Sequence, residues 1–120
     1  MIKINIIEPG SVVEFIMEGV CDIEEVLHII GSQYCNISKA VLWNFTNGSN
    51  VNLSTDEMTR IAEMVKKHAI HKKTAYVGPA DLEFGLLRMY ESYALIQSVP
   101  PVMKVFRDRT DAIKWIYDFF

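Results

Sequence analysis

The sequence predicts an α/β domain with a mixed, mostly parallel five-stranded sheet and four helices, in the order ββαβαβαβα. Two stretches of alternating apolar and polar residues, 2–6 and 13–17, are joined by a turn and predict a leading antiparallel hairpin. After them, short apolar stretches alternate with segments of helical period, which predicts parallel strands connected by helices. At 120 residues, the chain has the size of a single domain, and we expect one domain over 1–120.

The hairpin pattern also predicts which side chains face water. Ile2, Ile4 and Ile6 alternate with polar residues, as in a half-buried strand. In the second strand, Glu14 and Glu18 fall on the face opposite the apolar residues, so we expect that face to be exposed to solvent.

Helix starts are marked by capping residues. Asp22 precedes the first helical segment, Ser54 and Glu57 form a capping-box pattern before the second, and Asp108 precedes the last.

The third helix is predicted from about Asp81 to Ile96. Its expected buried stripe comprises Leu82, Leu86, Met89 and Tyr93. Gly85 costs this helix about 1 kcal/mol relative to alanine, so we expect close packing to require it.

Three strings in the C-terminal half resemble a known family. They are Lys73-Thr74-Ala75-Tyr76-Val77, the stretch from Asp81 to Tyr90 that contains Phe-Gly-x-x-Arg-Met, and Val105-Phe106-Arg107-Asp108 with the following Ala112 to Ile116. The chain thereby resembles the SpoIIAA-like (STAS-like) bacterial family. The resemblance implies a small cytoplasmic domain without known catalysis, often a dimer, and structurally related to lipid-binding CRAL-TRIO domains. Anti-sigma-factor antagonists carry a phosphorylated serine in Asp-Ser-x-Gly, which this chain lacks at Asn50 to Glu57, so the resemblance gives no support to that switch.

Composition argues against several classes of protein. The net charge is −3, with 15 acidic and 12 basic residues, which does not favour a nucleic-acid partner. The uncharged stretches are far shorter than the roughly 20 residues of a membrane span. The N-terminus does not resemble a signal peptide, and Cys21 and Cys35 are interpreted as reduced thiols, so we expect a cytoplasmic protein.

A ligand-binding crevice is expected beyond the carboxyl ends of the parallel strands. The candidate ligand-binding residues there are Asn47, Ser54, Asp81 and Arg88. Ser54 is interpreted first as a helix cap, and Arg88 first as a partner in a structural ion pair.

One basic cluster is a candidate membrane-facing surface. It comprises Lys66, Lys67, Lys72 and Lys73. Four lysines contribute about 4 kcal/mol at most near an anionic membrane, so a solvated helix end is the simpler interpretation. His68 and His71 are expected to be solvated as well. No metal-ligand spacing, cofactor motif or catalytic constellation is found, so neither a metal, a cofactor nor an enzyme activity is expected.

Two functional hypotheses follow, with an enzyme of unknown class a distant third. The first is a non-catalytic regulatory or protein-interaction module, which is expected to form a homodimer. The second is a carrier or sensor of a small apolar or lipid-like ligand, with or without association with a membrane surface. A packed sheet face beneath the second and third helices would favour the first hypothesis, and an apolar cavity there would favour the second.

Overall fold

One mixed sheet organises the protein, which a computed structural model describes over residues 1–45 and 53–118. The strands are β1 (Ile2–Glu8), β2 (Val12–Met17), β3 (Ala40–Phe45), β4 (Lys73–Val77) and β5 (Val102–Phe106). They lie side by side in chain order. β1 pairs antiparallel with β2, and every other neighbouring pair is parallel.

The helices divide between the two faces of this sheet. They are α1 (Ile23–Gln33), α2 (Thr55–His68), α3 (Asp81–Ile96) and α4 (Arg109–Tyr117), with a 3-10 turn over Tyr34–Asn36 after α1. Crossovers of one hand between successive parallel strands place their helices on one face, and α1, α2 and α3 share that face. α4 packs on the opposite face. The predicted order ββαβαβαβα is confirmed.

The predicted helix caps are present. The Asp22 carboxylate accepts a hydrogen bond from the Glu24 backbone N–H at 3.0 Å, and the Asp108 carboxylate caps α4 in the same manner. Ser54 and Glu57 form a complete capping box at the start of α2.

Two separate cores result from this arrangement. On the three-helix face, Phe15, Trp43 and Tyr76 occupy one row across neighbouring strands. On the α4 face, the strands carry smaller residues such as Leu42 and Ala75. Small side chains let the single short helix approach the sheet closely.

The predicted solvent-exposed face of the hairpin is wrong. Glu14 is only 1% exposed, whereas Ile4 and Ile6 of β1 are exposed to solvent. β2 lies inside the sheet, and α4 covers the face on which Glu14 lies. β1 is an edge strand, and the apolar side chains of Ile4 and Ile6 at its centre are largely uncovered.

The predicted buried stripe of α3 is also wrong. Leu82 and Met89 are 71% and 61% exposed, and Leu86 and Tyr93 are half-buried. The side chains that α3 buries are Glu83, Leu87, Tyr90 and Ala94. Apolar residues occur on two sides of this helix, and the side that carries Leu87 and Tyr90 is the one that packs against the sheet.

Close packing is found at a different glycine from the one predicted. Gly85 has nothing within 4 Å of the position where a Cβ atom would stand. At Gly78, just after β4, a Cβ atom would lie 3.0 Å from the Phe84 backbone nitrogen and 2.9 Å from Leu87 Cδ1. Gly78 therefore allows the start of α3 to approach the end of β4.

Candidate functional site

Three of the predicted ligand-binding residues, Ser54, Asp81 and Arg88, contact other side chains or backbone groups of the chain. Asn47 lies outside the described residues. The Ser54 hydroxyl accepts a hydrogen bond from the Glu57 backbone N–H at 3.1 Å, while the Glu57 carboxylate accepts one from the Ser54 backbone N–H at 2.9 Å. Ser54 thus serves as the helix cap that its sequence context indicated.

Asp81 and Arg88 form separate ion pairs. The Asp81 carboxylate is 2.5 Å from an Arg107 guanidinium nitrogen, and Arg88 lies 3.2 Å from the Glu91 carboxylate one turn further along α3. Among the described hydrogen bonds and ion pairs, none joins Ser54, Asp81 and Arg88 to one another. The structural role predicted first for Arg88 is the one observed.

The four lysines of the basic cluster do not form one surface. Lys66 and Lys67 are exposed at the end of α2, and Lys72 is exposed before β4. The Lys73 ammonium instead reaches the α4 face, where it donates to the backbone carbonyls of Trp115 at 2.7 Å and of Asp118 at 2.9 Å. Lys73 therefore binds the C-terminal end of α4.

The expectation that His71 is solvated is wrong. Its side chain is buried, its Nε2 lies 2.7 Å from the Thr74 hydroxyl, and its ring meets the Tyr34 ring edge-on at 4.9 Å. Its Nδ1 has no hydrogen-bond partner among the described residues. Burial lowers the pKa of His71 from 6.5 to about 4.

An apolar cavity lies between the sheet and the three helices, and we refer to it as the helix-face cavity. Its lining comprises Cys21, Val26, Ile30, Tyr34, Trp43, Phe45, Leu53, Met58, Ile61, Tyr76, Leu86, Leu87, Met89 and Tyr90. The cavity volume is about 50 Å³. Met58 and Leu53 are half-exposed and Met89 is exposed, so the cavity wall reaches the surface at α2 and α3.

Few polar groups line this cavity within the described chain. The Trp43 indole N–H donates to the Tyr34 hydroxyl at 2.7 Å, which satisfies both groups. The Tyr90 hydroxyl is buried and has no partner within 3.5 Å among residues 1–45 and 53–118, although Tyr76 lies beside it with its ring 5.7 Å away and affects its pKa. An unsatisfied buried hydroxyl costs about 1–3 kcal/mol.

The ionisable groups of the lining stay neutral near pH 7. Burial, reinforced by the carboxylates of Glu57 and Asp22, raises the pKa of the Cys21 thiol to about 11. Burial also raises the pKa values of Tyr34 and Tyr90 above the ordinary tyrosine range. The cavity therefore offers an uncharged, largely aromatic environment.

Sequence reasoning missed the aromatic residues of this lining. Each of the three inner strands carries one aromatic residue on the same row, and two of them, Trp43 and Tyr76, line the cavity together with Tyr90 of α3. A signal was present in the sequence, because each of these strands has an aromatic residue near its middle. The sequence does not show that the helices leave space above that row.

The described residues form neither a metal site nor a membrane-spanning helix. In residues 1–45 and 53–118, no group of three or more His, Cys, Asp or Glu side chains is placed to hold a metal ion. No helix in those ranges is both long and apolar enough to cross a membrane.

The fold of this protein is similar to that of a solved protein structure. No protein-family model matches the sequence, and no curated protein matches it either. The structure is similar to the crystal structure of an uncharacterized protein of the DUF3478 family, with a SpoIIAA-like fold, from Shewanella loihica PV-4. The TM-score is 0.62 and the identity 22%, over 97% of this chain and 92% of that chain. The protein therefore has the SpoIIAA-like fold that its sequence predicted.

Proposed function

We propose that the protein is a non-catalytic module that binds a small apolar ligand in the helix-face cavity. The supporting observation is the cavity itself, which lies beneath α2 and α3 where a fully packed core would have favoured a protein-interaction module. Ligand sites are typically apolar concavities with a few polar groups, and this lining has that character. On the sequence alone, the protein-interaction hypothesis comes first. The cavity supports ligand binding as the first hypothesis instead.

Flexible side chains at the cavity wall support the same proposal. Met58 and Met89 stand where the wall reaches the surface, and unbranched thioethers adopt alternative rotamers at low cost. The inner wall is more rigid, because the hydrogen bond between Trp43 and Tyr34 fixes both rings. A fixed inner wall behind adaptable methionines permits entry of a ligand without unfolding of a helix.

The experiment is calorimetric titration of the purified protein with toluene. We expect saturable binding to wild-type protein and its loss in Ile61→Phe, because Ile61 is a buried residue of the cavity lining and the larger ring fills the space. The matched control is Ile70→Phe, which makes the same change at an exposed position outside the lining. Circular dichroism establishes that both variants are folded.

Binding that is equal in wild-type protein, Ile61→Phe and Ile70→Phe would contradict the proposal. A wild-type protein that takes up no toluene near the solubility limit of the ligand would contradict it as well.

A second candidate function is protein interaction, here self-association through α3. Leu82, Met89 and Ile96 recur every seven residues, lie on one side of α3, and are 71%, 61% and 78% exposed. Seven residues are nearly two helical turns, so these side chains form a continuous apolar stripe, which we call the α3 stripe. Soluble monomers seldom leave such stripes uncovered. The occupant we propose is a second copy of the chain, in a symmetric dimer.

A further inference from the structure

The size of the helix-face cavity limits what it can hold. A cavity of about 150 Å³ holds benzene, so this cavity of about 50 Å³ is smaller than one aromatic ring when its wall is at rest. Typical sites for drug-sized ligands are several times larger. A small ring therefore enters when the flexible Met58 and Met89 side chains at the wall move aside, whereas a long acyl chain would need a much larger rearrangement.

The shape of the lining favours a flat ring over a chain. Trp43 and Phe45 are stacked with their ring centroids 6.3 Å apart, and Tyr76 and Tyr90 meet edge-on at 5.7 Å. Aromatic rings attract one another in offset and edge-on arrangements at such distances. A further ring in the cavity would extend this set of contacts.

One polar group of the lining lacks a partner. Tyr90 is 95% buried, since its exposed fraction is 5%, and its hydroxyl has no partner within 3.5 Å in the described chain, although the Tyr76 side chain is close enough to affect its pKa. By contrast, the Tyr34 hydroxyl already accepts from Trp43. A ligand with one oxygen atom would satisfy Tyr90 and leave the rest of its surface against apolar walls.

We infer that the ligand is a monocyclic aromatic molecule of about phenol size, with one hydrogen-bonding oxygen that pairs with the Tyr90 hydroxyl. This inference rests on the proposed function, and it narrows the ligand from any small apolar molecule to a class. It predicts that a small ring, and not a lipid chain, is the principal occupant.

The test compares two ligands of equal shape, phenol and toluene, by calorimetric titration. Phenol carries a hydroxyl group where toluene carries a methyl group, so the ratio of their dissociation constants measures the contribution of the hydrogen bond to Tyr90. We expect Tyr90→Phe to weaken phenol binding by about fivefold and to leave toluene binding within about twofold. The control is Tyr93→Phe, which removes a hydroxyl of the same helix that contacts Thr59 and does not line the cavity. We expect this variant to leave the ratio unchanged.

Decanoate separates this inference from the proposed function. Toluene or decanoate binding in the cavity, with a phenol-to-toluene ratio insensitive to Tyr90→Phe, would overturn the inference and leave the proposed function standing. Decanoate binding more tightly than phenol would overturn it too. Absence of binding by all three ligands would overturn both.

Discussion

Arg109 in the first turn of α4 holds the buried carboxylate of Glu14 on β2 with two hydrogen bonds, Nε at 2.8 Å and Nη2 at 2.9 Å. The amide groups of Asn5 and Asn44 donate to the same carboxylate at 2.9 and 3.0 Å. Burial alone would raise the pKa of Glu14, but these hydrogen bonds outweigh it and lower that pKa below its usual value. A buried charge is thus fully paired where α4 meets the sheet.

Removing Arg109 is expected to destabilise the protein strongly. Arg109→Ala leaves the Glu14 carboxylate buried with two amide donors, and we expect the free energy of unfolding to fall by about 3 kcal/mol. The measurement is urea unfolding at pH 7. Arg60→Ala is the control, since its ion pair with Glu24 is exposed at both ends and should contribute less than about 1 kcal/mol. Equal losses of unfolding free energy in Arg109→Ala and Arg60→Ala would contradict the claim that the buried ion pair stabilises the protein more than the exposed one.

Stability should depend on pH through His71. Its pKa is about 4 in the folded protein and about 6.5 when unfolded, so the unfolded state binds the proton first as pH falls. His71 therefore leaves stability unaffected above about pH 6.5 and reduces it progressively towards pH 4. Between pH 7.5 and 5, the free energy of unfolding should drop by about 2 kcal/mol. Glu14 affects stability in a lower pH range. Because its pKa is lowered from 4.5 in the folded protein, the stability that its charge provides is lost only as pH falls below about 4.5.

Urea unfolding at several pH values checks this prediction. His71→Gln should flatten the pH dependence between pH 7.5 and 5, whatever its effect on stability at pH 7.5. The same change at His28, which is exposed on α1, should leave the slope in place. If the free energy of unfolding of His71→Gln still falls between pH 7.5 and 5, another titrating group causes that pH dependence.

Two glycines should respond to alanine with opposite signs. Gly85 lies inside a helix with open space around its Cβ position, so Gly85→Ala should stabilise the protein by about 0.5–1 kcal/mol. Gly78→Ala should destabilise it by about 1–3 kcal/mol, because the new methyl group meets the backbone of α3. Thermal unfolding of both variants is the measurement, and a destabilised Gly85→Ala would show that the glycine has another role.

Self-association through the α3 stripe predicts a specific pattern of variants. Leu82→Lys and Ile96→Lys place charges on the stripe and should shift a dimer towards monomer by at least about tenfold in dissociation constant. Leu95→Lys is the control, because Leu95 is 80% exposed on the same helix but lies away from the stripe. Sedimentation velocity over a range of concentrations gives the result. A wild-type protein that is monomeric throughout, or a dimer weakened equally by all three changes, would exclude the stripe as the interface.

Local signals made the fold predictable from the sequence. Period-2 and helical spacing gave the order of elements, and Ser54, Asp22 and Asp108 marked helix starts because a cap depends on neighbours within three residues. The face that α3 buries was not predictable in this way. Both Leu82 and Leu87 belong to plausible apolar stripes, and only the position of the helix on the sheet distinguishes them.

The buried ion pair and the helix-face cavity both depend on contacts between residues that are far apart in the chain. Glu14 and Arg109 are 95 positions apart, and no pattern near Glu14 shows that a helix will cover it. The helix-face cavity depends on how closely three helices approach the sheet, which is a property of packing rather than of any short motif. None of the candidate residues Ser54, Asp81 and Arg88 lines the cavity, whose walls combine Trp43 and Tyr76 of the inner strands, Phe45 at the end of β3 and residues of all three helices.

The most direct test of ligand binding in the helix-face cavity is nuclear magnetic resonance of ¹³C-labelled methionine methyl groups during titration with toluene. Met58 and Met89 line the cavity, whereas Met17 and Met103 do not and serve as internal controls. We predict saturable shifts of the Met58 and Met89 signals, with the control signals unchanged, and loss of these shifts in Ile61→Phe. Shifts that appear at Met103 alone, or no shift at saturating toluene, would contradict the account.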